Sequence, residues 1–316
     1  MKTPRYFSRD NTLFSCTRTL SGVRIIRNIF GLLMLFIFTI LISDLLVIAG
    51  YSGTKSVWRI LTEQLGVRPM DTADGSADRM IYMLLSTVIC ILLTLLMTRF
   101  AENRPARTLG LLKNGLAAHY LTGALSGFAA FAGAVGMAWG LGALQYAGIS
   151  GEIPWKTLAL LLLGWMIQGF SEEIAFRGWL MTSLGTHHGP AVTLTVSSVL
   201  FAAVHLGNDG ISAMALLNLM LFGAFAGLYF MRTRNLWGCA AFHTIWNAVQ
   251  GNFFGIKVSG IDAGLTVLRF DSVPGRAWLN GGDFGMEGGL AVTAVLIVGI
   301  ALVWLLPEKP QRPLEV

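Results

Sequence analysis

Charged residues are scarce in this chain, at 13% of its 316 residues, against 54% hydrophobic residues. A soluble globular domain carries about 25% charged residues, so the scarcity excludes an ordinary soluble domain and a disordered chain. Cysteine is also rare. Cys16, Cys90 and Cys239 have no paired spacing, which excludes a disulfide framework and a Cys-x-x-Cys metal site. The composition therefore predicts an integral membrane protein.

Apolar runs long enough to cross a bilayer as helices recur along the whole chain. We predict an all-α, polytopic membrane helical bundle with about eight transmembrane helices. The runs lie at about residues 28–51, 80–98, 117–146, 157–180, 190–206, 212–231, 236–254 and 288–306. Three glycine pairs four residues apart have the spacing of close helix contacts, namely Gly123/Gly127, Gly136/Gly140 and Gly223/Gly227.

The formal net charge is +6, which in a membrane protein reflects the Lys and Arg of cytoplasmic loops. We therefore expect the lipid bilayer, and no nucleic acid, as a partner. If the N-terminus is cytoplasmic and the chain crosses eight times, more Lys and Arg residues fall on the inner side than on the outer side. This asymmetry predicts a multi-pass protein of the plasma (inner) membrane with both termini in the cytoplasm.

Ionisable residues within membrane spans are costly, so each is a functional candidate. Asp44 and His119 have no evident polar neighbour, and we favour an interfacial or interhelical hydrogen-bonding role for both over a functional one. The others fall within residues 172–243. They are Glu172, Glu173, Arg177, His205 and His243.

The first polar cluster, SEEIAFRGWL, contains two adjacent carboxylates and one guanidinium. Residues four apart share a helix face, so Glu173 and Arg177 are predicted to form an ion pair. Glu172 then points in another direction and remains available. The arrangement suits one structural and one reactive carboxylate, although a salt bridge at a helix end has the same pattern.

Two further clusters follow on later apolar runs. Phe201 and His205 are four residues apart, and so are His243 and Asn247. Each pair alone is explained by side-chain packing or by hydrogen bonding between helices. Together the three clusters provide a carboxylate base, imidazoles and an amide donor, which suffice to hydrolyse a peptide bond.

These motifs resemble those of the CPBP intramembrane proteases, also called Abi or CAAX-processing endopeptidases. That family has Glu-Glu-x-x-x-Arg, Phe-x-x-x-His and His-x-x-x-Asn/Asp on successive membrane helices. The chain has Glu172-Glu173-x-x-x-Arg177, Phe201-x-x-x-His205 and His243-x-x-x-Asn247 in the same order. The resemblance covers about residues 155–255.

The resemblance implies an intramembrane endopeptidase that acts on a membrane-associated protein or peptide, including the CAAX-type prenylated class. It implies that Glu172 is the general base, that His205 holds the attacking water with it, and that His243 and Asn247 stabilise the oxyanion. Glu173 and Arg177 would shape the site, with Phe201 in a supporting position.

The family has been described both as metalloproteases and as glutamate proteases. Glu172, His205 and His243 could form a zinc site, but the chain lacks a His-Glu-x-x-His helix and Asn247 is an uncommon zinc ligand. We therefore favour a metal-free glutamate mechanism with no cofactor, and keep zinc as the alternative.

The apolar runs, the charges and the resemblance together predict four parts of the chain. They are a basic cytoplasmic segment (1–27), N-terminal transmembrane helices (28–150), a CPBP-like catalytic core (151–255), and an outer loop, last transmembrane helix and short cytoplasmic tail (256–316). Two other functions remain open. One is a non-catalytic membrane scaffold or bacteriocin self-immunity protein, and the other is a proton-coupled transporter.

Straight spans place His205 about 20 Å and His243 about 10 Å from the inner ends of their helices, at about 1.5 Å per residue. A shared site requires similar depths. Either the predicted helix boundaries are wrong by a turn or two, or residues 177–195 dip into the membrane.

Overall fold

The computed structural model describes residues 3–20, 22–65, 73 and 76–307, with only the backbone described at 51–63 and 65. The described part is mostly helical, as predicted. Its α-helices are α1 (Thr12–Thr19), α2 (Ile29–Leu65), α3 (Ala77–Ser86), α4 (Val88–Leu96), α5 (Leu116–Gly140), α6 (Trp155–Glu173), α7 (Thr182–His187), α8 (Pro190–Ala203), α9 (Ala213–Thr233), α10 (Leu236–Ala248), α11 (Ala277–Asn280) and α12 (Leu290–Leu305). π-Helical segments extend three of them, at Met97–Ala101 after α4, Ile174–Met181 after α6 and Val249–Phe253 after α10.

Five of the described helical stretches are long and apolar enough to cross a membrane. They are Ile29–Gly50, Ala77–Ala101, Leu116–Gly140, Trp155–His187 and Ala213–Thr233. Helices α8 and α12 are apolar but shorter, and α10 has 13 residues. The predicted count of eight transmembrane helices is therefore not confirmed.

The outer surface of the bundle is apolar, as a lipid-facing surface must be. In the first two candidate spans only 22% of the most apolar window is buried, and in the third only 33%. Large side chains such as Phe38, Leu121 and Leu125 are more than half exposed. The chain is therefore an integral membrane protein, as its composition predicts.

Helices α5 and α10 pack with their backbones almost in contact, and glycine makes this possible. A Cβ atom at Gly123 would lie 2.1 Å from the carbonyl oxygen of Gly238, and one at Gly127 would lie 2.6 Å from that of Phe242. The predicted close contact is confirmed for this pair. It is wrong for Gly136 and Gly140, since no atom of the described structure lies within 4 Å of a Cβ built there.

The third predicted pair, Gly223 and Gly227, lies on α9 where it crosses α8. A Cβ atom at Gly223 would lie 2.8 Å from the Cα atom of Ser198, so the contact is confirmed.

Helix α8 begins with Pro190 at its first turn, where a missing N–H costs nothing. It ends after only 14 residues, and His205 follows in a turn.

Helix α8 ends at Ala203, whereas the apolar run was expected to extend to 206 and to cross the membrane. It is shorter than the stretches that are long enough for a span. Residues 188 and 189 separate it from α7, and α6, its π-helical extension and α7 form one helical stretch from Trp155 to His187. The straight span assumed for His205 is therefore not confirmed.

A small sheet, which the prediction of an all-α fold did not include, joins two parts of the chain. Strand β1 (Leu144–Ile149) pairs antiparallel with β2 (Leu268–Ser272), with a register shift between Tyr146 and Gly148. The sheet fixes the segment between α10 and α12 against the end of α5. The predicted outer loop is thus an ordered part of the fold.

The N-terminal segment also packs into the bundle. The Tyr6 hydroxyl donates to the carbonyl oxygen of Val303 at 3.0 Å, and the Asn11 amide donates to that of Met231 at 2.9 Å. The predicted cytoplasmic tail after the last helix falls at residues 308–316, which lie outside the described residues.

Candidate active site

Five of the predicted site residues line one cavity of about 340 Å³, within the range of small-ligand sites, whereas Glu173 and Arg177 lie outside its wall. It lies between α2, α3, α6, the end of α8 and the turn after it, α9 and α10. Residues 255–289, called the outer segment after their predicted position, complete its wall. The predicted residues in its wall are Glu172, Phe201, His205, His243 and Asn247. The structure therefore brings together three motifs that lie on separate parts of the chain, while their catalytic roles remain predictions.

Helix α6 approaches α10 closely enough for their side chains to meet. A Cβ atom at Gly169 would lie 3.0 Å from the backbone nitrogen of Thr244, so any larger residue would separate the helices. Helix α10 starts at an N-cap in which Asn235 accepts from the backbone N–H of Trp237 at 3.0 Å. The N-cap therefore defines where α10 begins, two turns before His243.

Glu172 has one engaged and one open carboxylate oxygen. Its Oε1 atom accepts a hydrogen bond from Nε2 of Gln168 at 2.5 Å. Its Oε2 atom lies 3.8 Å from Nε2 of His243, beyond hydrogen-bond distance, and the side chain is 26% exposed. Glu172 thus has one carboxylate oxygen that is open to a molecule in the cavity.

Glu173 has a structural position instead. Its side chain is fully buried, and its Oε1 atom accepts from Nη1 of Arg177 at 2.9 Å and from Nδ1 of His243 at 2.9 Å. The ion pair predicted from the four-residue spacing is confirmed. The same oxygen also joins α6 to α10, a link that the sequence did not predict.

The Glu173 contact determines how His243 presents its ring. An ionised carboxylate only accepts hydrogen bonds, so Nδ1 of His243 donates and Nε2 is left facing Glu172 and the cavity. The ring of Phe222 holds the imidazole from the side, with ring centroids 4.9 Å apart in an edge-to-face arrangement. The hydrogen bond to Glu173 and the contact with Phe222 therefore fix the orientation of His243.

Phe201 lies at the centre of a cluster of aromatic rings next to the site. The Arg177 guanidinium carbon lies 4.5 Å from its ring centroid, a cation–π distance. The ring also packs against His205 and His243, at centroid distances of 5.1 and 6.1 Å. Phe201 thus contacts one residue of each polar motif.

His205 lies just beyond the end of α8, and its Nδ1 atom is 2.8 Å from the carbonyl oxygen of Phe201. Since a carbonyl only accepts, Nδ1 carries the proton, and Nε2 of the neutral ring is an acceptor. The side chain is half-buried in the cavity wall. His205 is thus prepared to accept a hydrogen bond from a molecule in the cavity.

The amide of Asn247 reaches Glu172 through a residue that sequence reasoning missed. Nδ2 of Asn247 donates to Oε1 of Gln168 at 3.1 Å, and Gln168 in turn donates to Glu172. Gln168 is not ionisable, so the search for charges within spans passed over it. Its position one turn before Glu172 on an apolar helix was the available signal.

A second missed residue, Glu287, brings the outer segment into the cavity wall. Its Oε2 atom accepts from the backbone N–H and the hydroxyl of Ser259, at 2.8 and 2.7 Å. Its Oε1 atom accepts from the indole nitrogen of Trp246 at 3.3 Å. A side chain of the segment before α12 is therefore tied to the helix that carries His243.

Of the two isolated ionisable residues, Asp44 lies on α2 in the wall of the same cavity, which gives this carboxylate a polar environment within a span. His119 lies at the start of α5, outside the wall of this cavity.

The possible zinc ligands are not arranged as a ligand set. Within the described ranges, no group of three or more His, Cys, Asp and Glu side chains is placed to hold a metal ion. Nδ1 of His243 is bonded to Glu173, and its Nε2 faces Glu172 at 3.8 Å. The bond to Glu173 nevertheless leaves Nε2 of His243 free, as in a histidine that binds zinc, so the metal-free mechanism and the zinc alternative both stay predictions.

Comparison with protein families identifies this same region. Residues 154–249 match the family model described as Rce1-like, type II CAAX prenyl endopeptidase Rce1-like. No curated protein and no solved structure matches the chain. The chain thus contains an Rce1-like domain that spans α6 to α10, which confirms the family resemblance of its motifs.

Proposed function

We propose that the Rce1-like domain at 154–249 is an intramembrane endopeptidase that hydrolyses a peptide bond of a membrane-associated protein or peptide. The observation that carries the proposal is the open Oε2 atom of Glu172, which faces a cavity shared with His205, His243 and Asn247. The family description supports a CAAX-type endopeptidase, and prenylated peptides are therefore the first substrates to test.

In this mechanism Glu172 and His205 hold the attacking water between two acceptors. Oε2 of Glu172 and Nε2 of His205 each accept one of its hydrogens, so an oxygen lone pair is left to attack the carbonyl carbon. Glu172 takes the proton as the carbon–oxygen bond forms. When the carbon–nitrogen bond breaks, Glu172 returns that proton to the leaving amine.

The oxyanion of the tetrahedral intermediate is stabilised from α10. Asn247 uses one N–H for Gln168, and the second remains for the oxyanion. Nε2 of His243 donates to the oxyanion when the ring carries both protons, since Nδ1–H is bonded to Glu173. Such donors, held in place before the reaction, are worth about 10²–10³ in kcat.

We further propose a glutamate mechanism in which no step requires a metal. Zinc remains the alternative, and it would activate the same water as a Lewis acid. We also propose the plasma membrane as the site, with both termini in the cytoplasm.

The test is cleavage of a farnesylated CAAX peptide and of its unprenylated form by purified protein in detergent. We expect the wild type to cleave the substrate and Glu172→Gln and His205→Ala to lose at least about 100-fold in kcat/KM, the size of a general-base contribution. Glu152→Gln is the matched control, because Glu152 is exposed and lies outside the cavity.

Each variant is assayed with and without a strong zinc chelator. Activity that survives the chelator supports the glutamate mechanism, whereas loss that added zinc restores would assign a metalloprotease. If Glu172→Gln still cleaves at the wild-type rate, the proposal is wrong and a non-catalytic scaffold or immunity role gains support.

A further inference from the structure

Gln168 is bonded at both ends of its side chain to residues of the proposed catalytic set. It lies on α6 one turn before Glu172 and in the cavity wall. Its Nε2 atom donates to Glu172 at 2.5 Å, and its Oε1 atom accepts from Asn247 at 3.1 Å. It is therefore a direct link between the carboxylate on α6 and the amide on α10.

The chemistry of the carboxylate determines the direction of this chain of hydrogen bonds. An ionised Glu172 only accepts, so Gln168 must turn its NH₂ group toward Glu172 and its oxygen toward Asn247. Asn247 must then turn its own NH₂ group toward Gln168. The ionised base thus sets the orientation of an amide on another helix.

This orientation matters because Asn247 has two ends of opposite polarity. With its NH₂ group held on the side of Gln168, the second N–H is available to a developing negative charge. With the amide reversed, the Asn247 oxygen would face the same side and repel that charge. The bond to Gln168 therefore selects the useful orientation.

The other end of Gln168 acts on the base. The bond to Oε1 engages one carboxylate oxygen and leaves Oε2 open toward His243 and the cavity. Without it, the Glu172 side chain is free to rotate, and its second oxygen is no longer directed at one place. Positioning of this kind is worth up to about 10² in rate.

We propose that Gln168 is a positioning residue that aligns Glu172 and Asn247 for the same catalytic step. The proposal rests on the endopeptidase function proposed above. It predicts that Gln168 acts on the transition state more than on substrate binding, because its two bonds hold the base and the oxyanion donor.

The test compares Gln168→Met with the wild type on the same peptide. Methionine keeps the length of the side chain and removes both hydrogen bonds. We expect kcat to fall about 10- to 100-fold, with KM changed less than threefold. Gln250→Met is the control, because Gln250 is a buried glutamine just after α10 that is bonded to the Lys257 carbonyl and lies outside the cavity wall.

A second measurement separates positioning from a general loss of folding. Gln168→Met is repeated in an Asn247→Ala background, where the amide that it orients is absent. We expect its effect on kcat to shrink at least threefold there, because part of its action is lost already. Thermal unfolding of each variant in detergent is recorded alongside.

Three results overturn the inference: unchanged kcat in Gln168→Met, a fully additive effect in the Asn247→Ala background, or an equal kcat loss in Gln250→Met. If the wild type cleaves and Glu172→Gln does not, these results refute the role of Gln168 alone. If Glu172→Gln cleaves like the wild type, the proposed function itself fails, whatever Gln168→Met does.

Discussion

Removal of the Arg177 guanidinium should destabilise the protein far more than removal of the whole ion pair. Both side chains of the Glu173–Arg177 pair are fully buried, with 2.9 Å between Nη1 and Oε1. Arg177→Met would leave Glu173 with one donor, Nδ1 of His243, while its Oε2 atom already has no hydrogen-bond partner among the described residues. Breaking a buried pair from one side costs about 3–5 kcal/mol.

Replacement of both partners should cost much less. In Glu173→Leu/Arg177→Met both charges of the pair are gone, and such apolar replacements are often neutral within a few kcal/mol. The Nδ1–H of His243 loses its acceptor at the same time, at a cost of about 1–3 kcal/mol. Two nitrogens of Arg177, Nε and Nη2, have no hydrogen-bond partner in the described structure, so the pair is incompletely satisfied even in the wild type. We expect the double variant to be at least about 1 kcal/mol more stable than Arg177→Met, because an unpaired buried N–H costs less than an unpaired buried charge.

The assay is SDS-induced unfolding in mixed micelles, followed by the fluorescence of the nine tryptophans. Arg107→Met is the control, because Arg107 is exposed and should change the free energy of unfolding by no more than about 0.5 kcal/mol. The reasoning is refuted if Arg177→Met costs less than about 1 kcal/mol, or if the double variant is as unstable as Arg177→Met.

Two further predictions concern packing and the outer segment. Gly127→Ala should lower the free energy of unfolding by about 1–3 kcal/mol, because the new Cβ would lie 2.6 Å from the Phe242 carbonyl oxygen. Gly136→Ala should leave it unchanged or raise it by up to about 1 kcal/mol, and equal SDS midpoints for the two variants would contradict the α5–α10 contact. Glu287→Gln should speed limited proteolysis at 255–289 about tenfold, since losing an acceptor that serves Ser259 costs about 1–3 kcal/mol. Asp283→Asn, at an exposed position of the same segment, should not change that rate. Similar proteolysis rates for both variants would rule out a stabilising role of the hydrogen bonds between Glu287 and Ser259.

Periodicity predicted the local parts of the site well. The four-residue spacing of Glu173 and Arg177 predicted an ion pair within one helix, and the structure has it. The spacing of Gly123 and Gly127 predicted a close helix contact in the same way. Both depend on geometry within a single helix, which the sequence specifies directly.

Contacts between helices and the number of spans were harder to predict. That Glu173 would accept from His243, 70 residues away, depends on how α6 packs against α10. An apolar run of 10 to 17 residues also reads alike as a buried helix or as part of a span, which is why α8 and α10 were counted as spans. Gly136 shows the same limit, because it is spaced from Gly140 as Gly123 is from Gly127, but no described atom beyond its own stretch of helix lies within 4 Å of a Cβ built there.

The hydrogen bond from Gln168 to Glu172 and the ion pair of Glu173 with Arg177 also bear on how this helix enters the bilayer during synthesis. Each acidic side chain at the centre of an inserting helix costs about 2.5–3.5 kcal/mol. Here Glu172 has its Gln168 donor four residues before it, and Glu173 has Arg177 four residues after it. Both carboxylates can therefore pass from the translocon into lipid with a partner from their own helix, before the ribosome has made His243. Helix α6 thus brings its own counter-charge and donor, and α10 needs only to dock onto a carboxylate that is already in place.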